Sequence, residues 1–238
     1  MTTFTSHAFR SAQPNAPLAK LRTALLLLLA LPFLAFADEW EYRVGSTATS
    51  KFTEHWKGTA TYQSRYKEGG DHYRRHIDLG LFYGGITKHI DLTGNFRATE
   101  RKDFETGKWN DADFYYMNAT YRHKIKDTGV SHRLRFEYEE FDWDYDVLYY
   151  RIALSPPYEF EPLRENLILD PYTIKPFASY EVALDTNEDV LSHTYLLGLS
   201  YLFSDKVVGN LTYEFADNRG DHNPPNVNIL SFDLKFLF

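Results

Sequence analysis

The sequence predicts an all-β protein, a closed antiparallel up-and-down transmembrane β-barrel of about 10 strands, or 12 if two weaker pieces are counted. Three observations predict it. An export signal opens the chain, apolar and polar residues alternate at a period of two down to the last residue, and aromatic side chains make up 17% of the total, with 18 Tyr, 18 Phe and 4 Trp. A sheet with one greasy and one wet face accommodates that mixture.

The 238 residues, 43% hydrophobic and 25% charged, describe one globular domain rather than a disordered chain. A mean hydropathy of -0.46 with a single uninterrupted apolar run excludes a bundle of membrane helices, since each span needs about 20 apolar residues. The absence of cysteine removes disulfides, thiolate metal sites and cysteine nucleophiles.

Arg10, Lys20 and Arg22 precede the apolar stretch Ala24 to Ala37, which ends on Ala35-Phe36-Ala37 before Asp38-Glu39. A basic region, a short apolar run and a small-x-small site are the marks of a secretory signal peptide, expected to be cleaved after Ala37. Residues 38–238 then form the barrel domain. The run is too short for a spanning helix, the alternative reading. Removing three basic and no acidic residues from a chain of net charge -7 leaves the mature protein more acidic, which argues against a nucleic-acid partner.

The strands follow from the alternation. Trp56, Gly58, Ala60 and Tyr62 form the first apolar row, and Ile77, Leu79, Leu81 and Tyr83 the second. Ile90, Leu92, Gly94 and Phe96 alternate with Asp91, Thr93, Asn95 and Arg97; Tyr115, Met117, Ala119 and Tyr121 alternate with Tyr116, Asn118, Thr120 and Arg122. Leu134, Phe136 and Tyr138 oppose Arg133, Arg135, Glu137 and Glu139, and Leu148, Tyr150, Ile152 and Leu154 oppose Tyr149, Arg151 and Ala153. The rows Pro176 to Leu184, Tyr195 to Phe203, Val207 to Phe215 and Leu230 to Phe238 complete the set. Trp40, Tyr42 and Val44 remain unplaced, as does the long stretch Ser155 to Tyr172.

Connection lengths fit a membrane barrel, which pairs short periplasmic turns with longer external loops. Thr87-Lys88-His89, Asp127-Thr128-Gly129 and Ser204-Asp205-Lys206 fall at one end. Longer stretches, Lys67 to His72, Phe104 to Asp111, Phe141 to Asp146, Asp185 to Val190 and Asp217 to Asn226, fall at the other. Lipid cannot satisfy an open strand edge, so the sheet must close. Tyr66, Tyr73, Tyr83, Tyr115, Tyr138 and Tyr195 are expected in interfacial girdles. The alternative is a soluble periplasmic barrel with its apolar face inward around an apolar ligand.

Arg133, Arg135, Glu137, Glu139, Arg151 and Glu181 share inward parity and form the candidate site, a lumenal charge ladder. One reading is an ion-pair network replacing an apolar core. The other is a selectivity ladder that guides a small anionic solute. Inward Arg97, Arg122, Lys124 and Lys175 make the wall basic within an acidic chain.

Catalysis is not expected. Ser131-His132 and Ser192-His193 are the nearest nucleophile and base candidates, but neighbours on a strand face opposite ways. No Gly-x-Ser-x-Gly elbow is present. No cofactor or metal is expected: Asp142-Trp143-Asp144-Tyr145-Asp146 lacks the Gly and distal Glu of a calcium loop, and His72 and His76 on one strand stand about 13 Å apart. A lipid-modifying barrel enzyme stays as the alternative function.

Several segments resemble a known family. Ser131-His132-Arg133-Leu134-Arg135-Phe136-Glu137-Tyr138-Glu139, Tyr149-Tyr150-Arg151-Ile152 and Pro176-Phe177-Ala178-Ser179-Tyr180-Glu181-Val182 are similar to outer-membrane barrels grouped as domain of unknown function 2490. His55-Trp56-Lys57-Gly58-Thr59, Tyr73 to Gly80 and Gly107-Lys108-Trp109 fit as well. The resemblance implies a barrel in the bacterial outer membrane, among lipid and lipopolysaccharide, and no set chemistry. The final aromatic row, ending in Phe236 and Phe238, resembles the C-terminal signature read by the barrel-assembly machinery. The expected function is a narrow passive channel or a structural barrel with a charged lumen.

Overall fold

The computed structural model describes residues 39–140, 146–157, 174–185, 191–218 and 226–238. The expected export signal, the Asp-rich stretch at 142–145 and most of the long connection between residues 155 and 172 lie outside the described residues.

Among the described residues eleven strands follow one another: β1 (Glu39–Lys51), β2 (Trp56–Lys67), β3 (His72–Thr87), β4 (Ile90–Lys102), β5 (Trp109–Ile125), β6 (Thr128–Glu140), β7 (Asp146–Ser155), β8 (Ile174–Asp185), β9 (Leu191–Ser204), β10 (Val207–Asn218) and β11 (Asn226–Leu237). Each pairs with the next and β11 returns to β1, closing the barrel. The unplaced Trp40, Tyr42 and Val44 are the outward row of β1.

The odd count decides the seam. Ten successive antiparallel pairings leave the first and last of 11 strands running the same way, so β1 and β11 pair in parallel, from Glu39 opposite Val227 to Thr49 opposite Leu237. All other neighbours are antiparallel. The even number usual in bacterial single-chain barrels therefore does not hold over the described strands.

The wall faces match the alternation. Val44, Ile77, Leu79, Met117 and Leu134 are each more than half exposed, on the outside, while Asp78, Thr99, Asn118, Glu137 and Asn210 are buried within. Covering the exposed half of each such outer side chain is worth roughly 1 kcal/mol, which water withholds. A lipid surround supplies it. A soluble barrel with an apolar interior is the reverse of this arrangement. Aromatic neighbours line the outer wall: Trp56 against Tyr83 at 4.7 Å, Tyr66 against His72 at 5.0 Å, Phe96 against Tyr115 at 5.3 Å, and Tyr180 against Tyr195 at 5.1 Å.

Tyr73 departs from the expected girdle. The β2–β3 register shifts between Arg65 and Tyr66, so that Arg65 faces Arg74 while Tyr66 faces His72. The additional residue in β3 is Tyr73. This bulge leaves its side chain 9% exposed, beside Glu41 and Arg65 on the lumen side. Strict alternation has no means of anticipating such a slip.

Both ends are built from local chemistry. At the short-turn end, Phe52–His55 closes with Phe52 N–H donating to Trp56 O at 3.0 Å and Trp56 N–H donating to Thr53 Oγ1 at 3.1 Å. Lys126 takes a left-handed φ of 54° in the β5–β6 turn. At the opposite end, Gly69 and Gly70 supply φ of 92° and 87° between β2 and β3. Asp103 accepts the Glu105 and Thr106 N–H groups at 2.8 and 3.2 Å, and Gly107 N–H donates to Asp103 O at 2.8 Å.

Candidate functional site in the barrel lumen

Two ion-pair networks line the inner face of β3–β8. In the first, Arg133 of β6 and Arg151 of β7 stand directly opposite each other, an arrangement that repels unless answered. Glu181 of β8, opposite Arg151, answers both. Arg133 Nη2 donates to Glu181 Oε2 at 2.6 Å; Arg151 donates from Nε to Oε2 at 2.8 Å and from Nη2 to Oε1 at 3.1 Å. Their side chains are 21%, 29% and 12% exposed for Arg133, Arg151 and Glu181.

The second network couples β3 to β6. Arg97 Nε donates to Asp78 Oδ2 at 3.1 Å, and its Nη1 lies 3.9 Å from Glu137 Oε1. The Tyr116 hydroxyl donates to the same Asp78 oxygen. Arg135 donates to Asn118 Oδ1 at 3.0 Å and to Glu137 Oε2 at 3.4 Å, and stacks over the Tyr116 ring at 4.6 Å. Tyr116 is thus held between two guanidiniums, Arg97 lying 4.9 Å from its centroid. Asp78 is bound by Arg97 of the neighbouring strand, and Glu137 by Arg135 of its own strand and by Arg97 across β5, as buried charge requires.

A third group spans the seam. Arg43 of β1 donates to Glu214 of β10 at 3.3 Å and lies 3.6 Å from Glu41. Near the short-turn end Arg122 pairs with Asp91, and Phe177 lies over Gly198 of the neighbouring strand.

The structure brings Arg133, Arg135, Glu137, Arg151 and Glu181 onto one lumen wall. Glu139 follows on β6 opposite Phe114, its side chain outside the described residues. Arg97 joins the network; Lys124 is exposed at the end of β5, and Lys175 opens β8 opposite Ser200. Asp78, Tyr116, Asn118, Glu41, Arg43 and Glu214 belong equally to the lumen and were missed as site residues. The parity signal for Asp78, between Ile77 and Leu79, was present. That for Glu41 and Arg43 was hidden because their strand had no assigned partner.

Among lumen-facing strand positions described, His76 is the one histidine, 6% exposed and directly opposite Thr99. His132 bonds to the Tyr150 hydroxyl and His193 to that of Tyr180, each at 2.7 Å on the outer wall. Neither histidine serves the serine beside it.

Residues 44–225, which span nearly the whole of this closed wall, match a family model described as "Protein of unknown function (DUF2490)". The chain belongs to the DUF2490 family. This DUF2490 barrel finds no match among curated proteins. Among solved structures it is similar to LpxR from Salmonella typhimurium, with a TM-score of 0.52 and 10% identity, over 81% of this chain and 87% of LpxR. At that identity the likeness concerns fold.

It nonetheless corrects one expectation. LpxR is an outer-membrane lipid A deacylase, so an enzyme occupies this architecture, and the expectation of no catalysis is overturned. That expectation rested on the missing Gly-x-Ser-x-Gly elbow and on Ser-His neighbours pointing apart. Both observations exclude particular motifs; neither reaches residues that a barrel assembles from separate strands.

Proposed function

We propose that this DUF2490 barrel resides in the bacterial outer membrane with its short turns in the periplasm, and that its charged lumen is sealed at mid-height by its own ion pairs. The observation that carries this reading is the joining of Arg133, Arg151 and Glu181, and of Arg97, Asp78, Glu137 and Arg135, into networks whose side chains are only 11–29% exposed. An open selectivity ladder keeps its charges wet and available to the passing ion. Here they are spent on one another.

Planar-bilayer recording of the refolded mature protein tests the proposal. The wild type is expected to insert without steady conductance, and Arg133→Ala/Arg135→Ala to admit current by emptying part of the layer. Discrete wild-type conductance with anion preference would establish a channel and overturn the seal.

The likeness to LpxR favours a second reading, a barrel enzyme acting on outer-leaflet lipid. His76, lumen-facing and with Nδ1 free of any hydrogen bond among the described residues, is the base this reading would use. Mass spectrometry of lipopolysaccharide incubated with wild type and His76→Asn tests it. Acyl loss in the first and not the second supports the reading; unchanged lipid in both sinks it.

A further inference from the structure

One row of the lumen wall contradicts the pairing rule that governs the rest. Arg43 of β1 lies opposite Arg65 of β2, Arg65 opposite Arg74 of β3, and Arg74 opposite Arg101 of β4. Four arginines therefore stand side by side on four adjacent strands, near the long-loop end. Neighbouring strands are only about 4.8 Å apart, and like charges directly opposite destabilise a sheet.

The described carboxylates reach one end of this row. Glu41 and Glu214 both serve Arg43. Arg65 donates to the neutral Gln63 at 3.2 Å, and Arg74 lies 5.9 Å over the Phe114 ring. Among the described residues no carboxylate lies within ion-pair distance of Arg65, Arg74 or Arg101.

Unpartnered donors gather at the same place. Arg43 Nε and Arg74 Nε are shielded from solvent without a hydrogen-bond acceptor, and so is the Thr99 hydroxyl in the next layer, opposite His76; the unbonded carboxylate oxygen beside them, Glu41 Oε2, stands 3.6 Å from Arg43 at the end of the row away from Arg74. A buried donor left unmet costs roughly 1–3 kcal/mol, and more when it is charged. Such a concentration in one corner calls for an acceptor.

We propose that this row is a binding site for a phosphate-bearing anion. Guanidinium forks match phosphate oxygens in bidentate pairs. A phosphate monoester brings about -1.5 to -2 charges and three acceptor oxygens, enough to answer the arginines left over once Glu41 and Glu214 are assigned. The site uses none of the side chains that form the Arg133–Glu181 and Arg97–Asp78 pairs, so it stands whether or not the lumen conducts. The phosphate can belong to a lipid headgroup folded over the rim or to a free solute.

The test is unfolding of the refolded full barrel in vesicles of digalactosyldiacylglycerol, a bilayer lipid without phosphate, followed by tryptophan fluorescence, with pyrophosphate against chloride at matched ionic strength. Pyrophosphate is expected to raise the wild-type midpoint. Arg74→Gln and Arg65→Gln lose the rise, their affinity falling about tenfold or more, while Arg75→Gln on the outer wall keeps it. Without anion, Arg74→Gln is expected to unfold later than the wild type, because an unanswered charge has gone. Phosphatidic acid in the vesicles that abolishes the response to pyrophosphate identifies a lipid source; a preserved response identifies a free solute. No wild-type rise beyond chloride, an equal rise in both row variants, or an anion-free Arg74→Gln less stable than wild type would each overturn the site.

Discussion

Arg43 on β1 reaches Glu214 on β10 at 3.3 Å, passing over the intervening strand β11. The reach is possible because β11 places Ser231 opposite Arg43, a small side chain 5% exposed, between the two partners. A charge pair thus braces the parallel seam from inside, where the ladder itself is slightly weaker per residue.

Removing one partner of that brace leaves a desolvated charge behind. Glu214→Gln is expected to lower barrel stability by about 3 kcal/mol, read as an earlier urea midpoint in vesicles. An unchanged midpoint would show that the pair contributes nothing to closure.

The seam can be trapped directly, because the chain has no cysteine of its own. Thr47 and Lys235 are register partners on the parallel strands. The double variant Thr47→Cys/Lys235→Cys is expected to oxidise to a single intramolecular crosslink in the folded barrel. Free thiols under oxidising conditions would mean that β1 pairs elsewhere.

The inward turn of Tyr73 has its own readout. In lipid vesicles Tyr62→Cys, outward at 46% exposure in the wild type, is expected to react with a bilayer-partitioned maleimide, whereas Tyr73→Cys resists it. Equal labelling would return Tyr73 to the lipid face.

Lys126 occupies a left-handed conformation at φ 54° that costs an L-residue roughly 1–2 kcal/mol. Lys126→Gly removes that cost at some expense in unfolded-chain entropy. Stability is expected to rise by up to about 1 kcal/mol, and a fall would show that the side chain holds the turn.

The Thr106 backbone N–H and hydroxyl, with the Glu105 N–H, hold the Asp103 carboxyl below its ordinary range in the β4–β5 loop. A depressed folded value means that its contribution is present above the unfolded pKa of about 3.9. It is lost as pH falls through the folded value. Limited proteolysis of the loop is expected to accelerate under that acidification in the wild type and to vary less in Asp103→Asn, which keeps an acceptor oxygen.

Period-two alternation by itself determined which side chains meet lipid and which meet the lumen, because a strand's neighbours must point to opposite faces. Leu134 and Phe136 could only go one way once Arg133 and Arg135 went the other. Tertiary structure decided the rest. The partner of β1, the parallel closure, the bulge that turns Tyr73 inward and the alignment of Arg43, Arg65, Arg74 and Arg101 all depend on register between strands. Register is a relation between segments far apart in the chain, and no single segment carries it.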